Sequence, residues 1–276
     1  MADRRIDFRF APPSAQFLIC LADDPFKTLV WEDGSLCCNF DAALEEHRLN
    51  MFAPGRKPVW SPAMQNRGFR FRCRPRFLHL DELLSQGQDY GDAHAAIVTT
   101  RQAFRHTAFE WTAFAWQEGG VRADILLWRL EALSGFHPAP SRVVLDLLGE
   151  VAGPGLPAVV TAQAEPCGLL SSGQVWEGAF YLVHQGSVDG LATLPHAKQA
   201  LAWARAYWDK LTPFQLRMEI PDPKLMDMLA SCGRNLLQAR EVKNGLTTYQ
   251  VGPTHYRGQW IADGRFMLEA ALYMGR

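Results

Sequence analysis

At 276 residues, with 48% hydrophobic and 21% charged side chains, the chain has the composition of a globular protein with enough apolar material for a packed core. A formal net charge of -1 and a pI of about 6.7 leave no basic footprint for nucleic acid or anionic lipid, and no apolar run is long enough to span a bilayer. Met1-Ala2-Asp3-Arg4-Arg5-Ile6-Asp7 leads into no signal-like apolar stretch, so the expected location is cytoplasmic.

In chain order, two apolar runs open the reading, Phe17 to Leu21 and Thr28 to Trp31, and the second meets Leu36 to Phe40 across Glu32-Asp33-Gly34-Ser35. Asp-Gly between β-rich runs is a hairpin signal. Ala42 to Asn50 reads as one or two helical turns, and Pro54 to Pro58 as a loop. From Gly68 to Leu80 arginines alternate with Phe69, Phe71 and Phe77, the pattern of one or two strands with a single wet face.

Phe109 to Trp116 and Val121 to Trp128 flank the turn Gln117-Glu118-Gly119-Gly120. Phe109 and Trp111 fall on one parity and Phe114 and Trp116 on the other, so these strands are expected to be covered on both faces. Val143 to Leu148, Ala158 to Thr161 and Ala179 to Val183 continue a series of short strands parted by Gly and Pro. Such a series argues for a large antiparallel β-sandwich over residues 1–192.

The composition changes near Gly190. Pro195 to Trp208 is rich in Ala and free of β-branched residues, which predicts a linker helix within 193–219, with an apolar stripe on Leu201, Ala204 and Trp208. Asp222 as cap and Pro223 at the first helical position open a second helix, in which Leu225, Met228, Leu229, Cys232, Leu236 and Leu237 keep helical spacing. Lys243-Asn244-Gly245 is read as its end, and Leu246 to Gln259 as a loop leading to Asp263 and a final apolar helix. At the start of that helix, free N–H groups and the positive dipole end favour a carboxylate or a sugar oxygen.

Tyr256-Arg257, Trp260, Asp263 and Gly264, followed by an apolar helix ending in Gly275-Arg276, resemble the opening of the catalytic toroid in the six-hairpin glycosidases. This superfamily includes glucoamylases, trehalases, glycogen debranching enzymes and sugar phosphorylases. Its usual pattern has Arg-Asp-Gly, and this chain has Ala262 where the Arg is expected. The resemblance implies an α+β multidomain fold: an N-terminal antiparallel β-sandwich, a linker helix, and over 220–276 the first helical hairpin of an incomplete α/α toroid. It also implies that Tyr256, Arg257, Trp260 and Asp263 bind carbohydrate. Read without the resemblance, Asp263 is an N-cap and Trp260 a core aromatic.

Residues 221–276 number 56 (276 − 220), enough for one helical hairpin, whereas twelve average helices with short loops need roughly 200 residues. The chain therefore reads as the N-terminal portion of a carbohydrate-active, glycosidase-like enzyme acting on glucosides or oligosaccharides and inactive alone, its paired carboxyl groups belonging to a missing C-terminal part. The partners implied are a carbohydrate, and the rest of the toroid as a separate chain or a second copy. The alternative, from another class, is a non-catalytic carbohydrate-binding or assembly β-sandwich module.

Glu110, Asp124, Asp146 and Glu177 sit in strand-like segments and read as solvated or paired, and His255 as a hydrogen-bonded loop residue. No catalytic residue is assigned. Cys20, Cys37, Cys38, Cys73, Cys167 and Cys232 show no C-x-x-C spacing and no His at zinc-finger distance, so buried free thiols are expected, with no metal and no cofactor.

Overall fold

The structure is a computed structural model that describes residues 16–40, 69–78, 81–89, 93–149, 156–162, 167–212, 214–215, 218–243, 245–250, 252 and 261–276. The helical turns expected over 42–50 and the loop over 54–58 lie outside these residues. Described strands are, in chain order, β1 (Gln16–Leu18), β2 (Leu29–Trp31), β3 (Leu36–Phe40), β4 (Phe69–Leu78), β5 (Leu83–Asp89), β6 (Ile97–Phe104), β7 (Thr107–Glu118) and β8 (Val121–Ala132). They continue with β9 (Ala139–Gly149), β10 (Ala158–Ala162), β11 (Cys167–Leu170), β12 (Val175–Gln185), β13 (Arg240–Lys243) and β14 (Leu246–Tyr249). Three helices follow the sandwich strands: α1 (Leu194–Lys210), α2 (Pro223–Ala239) and α3 (Ile261–Tyr273).

Among the described residues, two six-stranded antiparallel sheets make the body, one ordered β1-β2-β3-β4-β9-β11 and the other β10-β12-β8-β7-β6-β5. Between them lies an aromatic core in which Val30, Leu36, Phe71 and Phe77 of the first sheet meet Phe109, Trp111, Trp128 and Phe180 of the second. Alternation along β7 explains the layer. Phe109 and Trp111 face the first sheet, while Phe114 and Trp116 face the other way. Burying each such aromatic contributes about 1.5–3 kcal/mol, so the long hairpin β7–β8 is the centre of the fold.

The outward side of the second sheet is covered by α1. Thr193 caps this helix, accepting from the His196 amide, and Ala197, Ala200, Ala204 and Trp208 pack onto Trp116, Ile125, Tyr181 and Val183. Alanine at three of these four positions lets the helix lie close to the sheet. The helix expected as a linker is thus a third layer of the body.

The turn between β2 and β3 is held by a close approach. Gly34 has φ +71, and a Cβ there would come within 2.3 Å of the Trp111 ring, whose Nε1 donates to Gly34 O at 3.1 Å. Arg72, Arg74 and Arg76 line the wet face of β4, with Arg72 and Arg74 on Asp33 and Arg76 on Asp146.

The expected opening of an α/α toroid is not what the C-terminal residues form. After α2 the chain makes a two-stranded sheet, β13 paired with β14 in the register Arg240↔Tyr249 and Lys243↔Leu246, and only later enters α3. Asn-Gly at 244–245 is not the helix stop expected of it; between Arg-Glu-Val-Lys and Leu-Thr-Thr-Tyr it has the composition of a two-residue hairpin loop. Gly245 takes the required positive φ of 77°. The fold is therefore a β-sandwich with a covering helix and a small mixed C-terminal unit.

That unit is tied to the sandwich. Arg234 of α2 donates to Ala93 O at 2.7 Å and Ala95 O at 3.0 Å, while Gln238 Nε2 donates to Leu18 O at 3.0 Å and Cys20 O at 2.6 Å. Its own core is small, with Leu236, Tyr249, Ala271 and Met274 buried together.

Candidate functional site

Of the residues expected to bind sugar, Tyr256, Arg257 and Trp260 lie outside the described residues, as does His255. Asp263 is the third residue of α3 and is exposed. It is not a cap one residue ahead of Gly264, since the helix already begins at Ile261. A carboxylate in this first turn gains about 0.3–1 kcal/mol from the helix dipole. At the other end α3 closes as a Schellman motif. Gly275 has φ +76 and donates to Leu272 O at 2.9 Å, and Arg276 donates to Ala271 O at 2.8 Å. The Gly-Arg ending of the sequence thus has a local role as a helix stop.

The four strand carboxylates are all paired. Glu110 takes Arg101 at 3.1 Å, Asp146 takes Arg76 at 3.1 Å, and Glu177 takes Lys198 at 2.8 Å. Asp124 belongs to the most deeply buried polar cluster among the described residues. Alternation along β8 sends Arg122 and Asp124 to one face, where Arg122 Nη1 donates to Asp124 Oδ1 and Nε to Asp24 Oδ2, both at 2.8 Å. Asp124 Oδ2 accepts Thr28 Oγ1 at 2.5 Å and lies 2.6 Å from His184 Nε2, whose ring stacks on Phe26.

Burial pushes the Asp124 carboxyl up, but Arg122, His184 and Thr28 outweigh it and hold the group well below the usual carboxylate range. Asp24 is equally occupied, its oxygens taking Arg122 and the amides of Leu21 and Phe26. Nearby Cys20 is fully buried, and burial pushes its thiol up to about 12, so it is no nucleophile at neutral pH. Both carboxylates are thus filled by the protein itself, with no oxygen left to take a proton from a substrate. The cluster holds strands and loops together. Its sequence signal is legible only in part: opposite charges two apart, Arg122 and Asp124, precede the apolar run Ile125 to Trp128, but Arg129 and Glu131 of the same strand repeat that spacing and form a half-exposed pair.

One edge of this cluster reaches the C-terminal unit. Lys27 is buried and its Nζ donates to Gln238 O at 2.6 Å and Arg240 O at 3.1 Å. Asp23, at a left-handed φ of 58°, accepts from Arg240 Nε and Nη2, at 2.8 and 2.7 Å.

Cys20, Cys37, Cys38 and Cys73 are buried free thiols, whereas Cys232 is exposed. The last differs from expectation because α2 buries Ala230, Gly233, Arg234, Leu236, Leu237 and Gln238 and turns Leu225, Met228 and Cys232 outward. Among the described residues no group of three or more His, Cys, Asp or Glu could hold a metal ion, and no helix is long and apolar enough to cross a membrane. No protein-family model matches the chain, and no curated protein matches its sequence.

Proposed function

We propose that this chain is a non-catalytic β-sandwich module that works by assembly, presenting its C-terminal helix to another polypeptide surface. The observation that carries this reading is the character of α3. Ile261 is 91% exposed, Phe266 68%, Leu268 51%, Leu272 73% and Tyr273 75%. Large apolar side chains exposed on two sides of one helix are ordinarily covered, and a large exposed apolar patch on a folded protein marks an interaction site. Leu225 and Met228 of α2 and Val242 and Leu246 of the β13–β14 hairpin add further exposed apolar side chains to the same unit. A reading of this unit as the first hairpin of a glycosidase toroid is not supported, since a β-hairpin separates the two helices.

Two measurements test the assembly reading. At concentrations where it is monomeric, the folded chain is expected to bind an apolar dye such as Nile red, and Phe266→Ser with Leu272→Ser to remove most of that binding without shifting thermal unfolding. It is also expected to hydrolyse none of a panel of aryl glycosides and oligosaccharides. A folded monomer that binds no dye, or turnover that survives repurification and disappears in Asp263→Asn, defeats the reading.

A further inference from the structure

Resting on the assembly reading, we infer that the surface α3 meets is a second copy's: two α3 helices pair antiparallel across a two-fold axis, with Arg265 of each facing Glu269 of the other. The sequence of the helix carries the argument. Ile261, Leu268 and Leu272, at i, i+7 and i+11, form one outward stripe, and Phe266 and Tyr273, at i and i+7, form another. Arg265 and Glu269 lie between the stripes and are exposed, while Ala271 faces inward to the small core. Within its own helix Glu269 accepts the Tyr273 hydroxyl at 3.4 Å, a long bond at an exposed position.

In an antiparallel pair crossing at the height of Met267, residue heights run in opposite directions. Position 265 meets 269, position 261 meets 273, and 266 meets 268. Each Arg265 then stands level with a Glu269, Phe266 of one copy with Leu268 of the other, and Ile261 of one with Leu272 and Tyr273 of the other. A parallel pair instead sets Arg265 on Arg265 and Glu269 on Glu269, which like-charge repulsion disfavours. The pattern is therefore self-complementary in one orientation only, as an isologous interface requires.

The area also fits. At their observed exposures the five apolar side chains of α3 present on the order of 600 Å² per copy, against roughly 800 Å² per partner for a standard interface. Leu225 and Met228 of α2 add to this apolar area.

The test uses the full chain in sedimentation equilibrium, with Arg265→Glu, Glu269→Arg and an equimolar mixture of the two variants. Both positions are exposed, and unchanged thermal unfolding checks that each variant folds. The wild type is expected to dimerise. Each variant alone places like charges at both contacts and should associate about tenfold more weakly, whereas the mixture sets an acidic side chain opposite a basic one at both contacts and should recover the wild-type affinity. A wild type that stays monomeric across the concentration range overturns the self-pairing, and so does association that is indifferent to these charges. If the apolar dye still binds in either case, the assembly reading stands without it.

Discussion

At the residue scale, the Asp24–Arg122–Asp124–His184 cluster shows why a buried ion pair is better judged by what its removal does than by its net worth. Arg122 is surrounded by two carboxylates at 2.8 Å and by almost no water. Asp124→Asn removes one of the two balancing charges and should cost about 3 kcal/mol at pH 7 in urea unfolding. The sign of the pH effect follows from direction. The Asp124 pKa is lowered in the folded state, so its contribution is complete above about pH 4, the unfolded range, and is lost as pH falls toward the folded value. Wild type should therefore lose stability on acidification below about pH 4 more steeply than Asp124→Asn. Equal acid slopes in the two proteins would show that Asp124 is not the group being protonated.

At the scale of elements, turn chemistry decides most of the connections, and two glycines with nearly the same φ separate strain from crowding. Gly34 has φ +71 and a Cβ there would strike Trp111, whereas Gly173 has φ +79 with open space around it. Gly173→Ala should cost only the left-handed penalty of about 1–2 kcal/mol. Gly34→Ala adds displacement of a core indole and the bond its Nε1 makes, so a loss of about 3 kcal/mol or more is expected from thermal unfolding. Similar losses in both variants would mean that the β2–β3 turn moves aside easily. The same turn chemistry explains the departure from expectation at the C-terminus. Gly245 permits a tight hairpin, and Val242, Thr247 and Tyr249 suit strands better than a loop.

For the whole molecule, the question is whether the C-terminal unit folds with the sandwich. Lys27, Asp23 and the backbone of residues 18–20 hold the end of α2 and the start of β13 through buried and partly buried hydrogen bonds. Lys27→Met takes the ammonium donor away from the Gln238 and Arg240 carbonyls and should cost about 2–3 kcal/mol. In hydrogen exchange, amides in the last two turns of α2 are expected to be protected in wild type like those of β8, and to exchange at least about tenfold faster in Lys27→Met. Fast exchange of α2 already in wild type would mean that the unit docks loosely. If it docks firmly, the helix surface it presents is held in a fixed place on the body, which is the mechanical requirement of an assembly module.

What the sequence determines by itself is local. Asp33-Gly34 and Glu118-Gly119-Gly120 mark hairpins, aromatics on both parities of β7 require cover on both faces, and the alanine-rich run after Pro195 is a helix, because period and turn residues act over a few neighbours. The strand β5, Leu-Leu-Ser-Gln-Gly-Gln-Asp, carries no such signal, because it lies at a sheet edge, mostly exposed, and has no apolar alternation to read. Long-range pairing is the other gap. That Asp24 and Asp124 share one arginine, that Lys27 closes the end of a helix more than two hundred residues away, and that α2 buries Leu236 and Leu237 but leaves Leu225 and Met228 exposed depend on packing between distant segments. Only the tertiary structure decides them, since no local pattern specifies which of two helix faces meets the body.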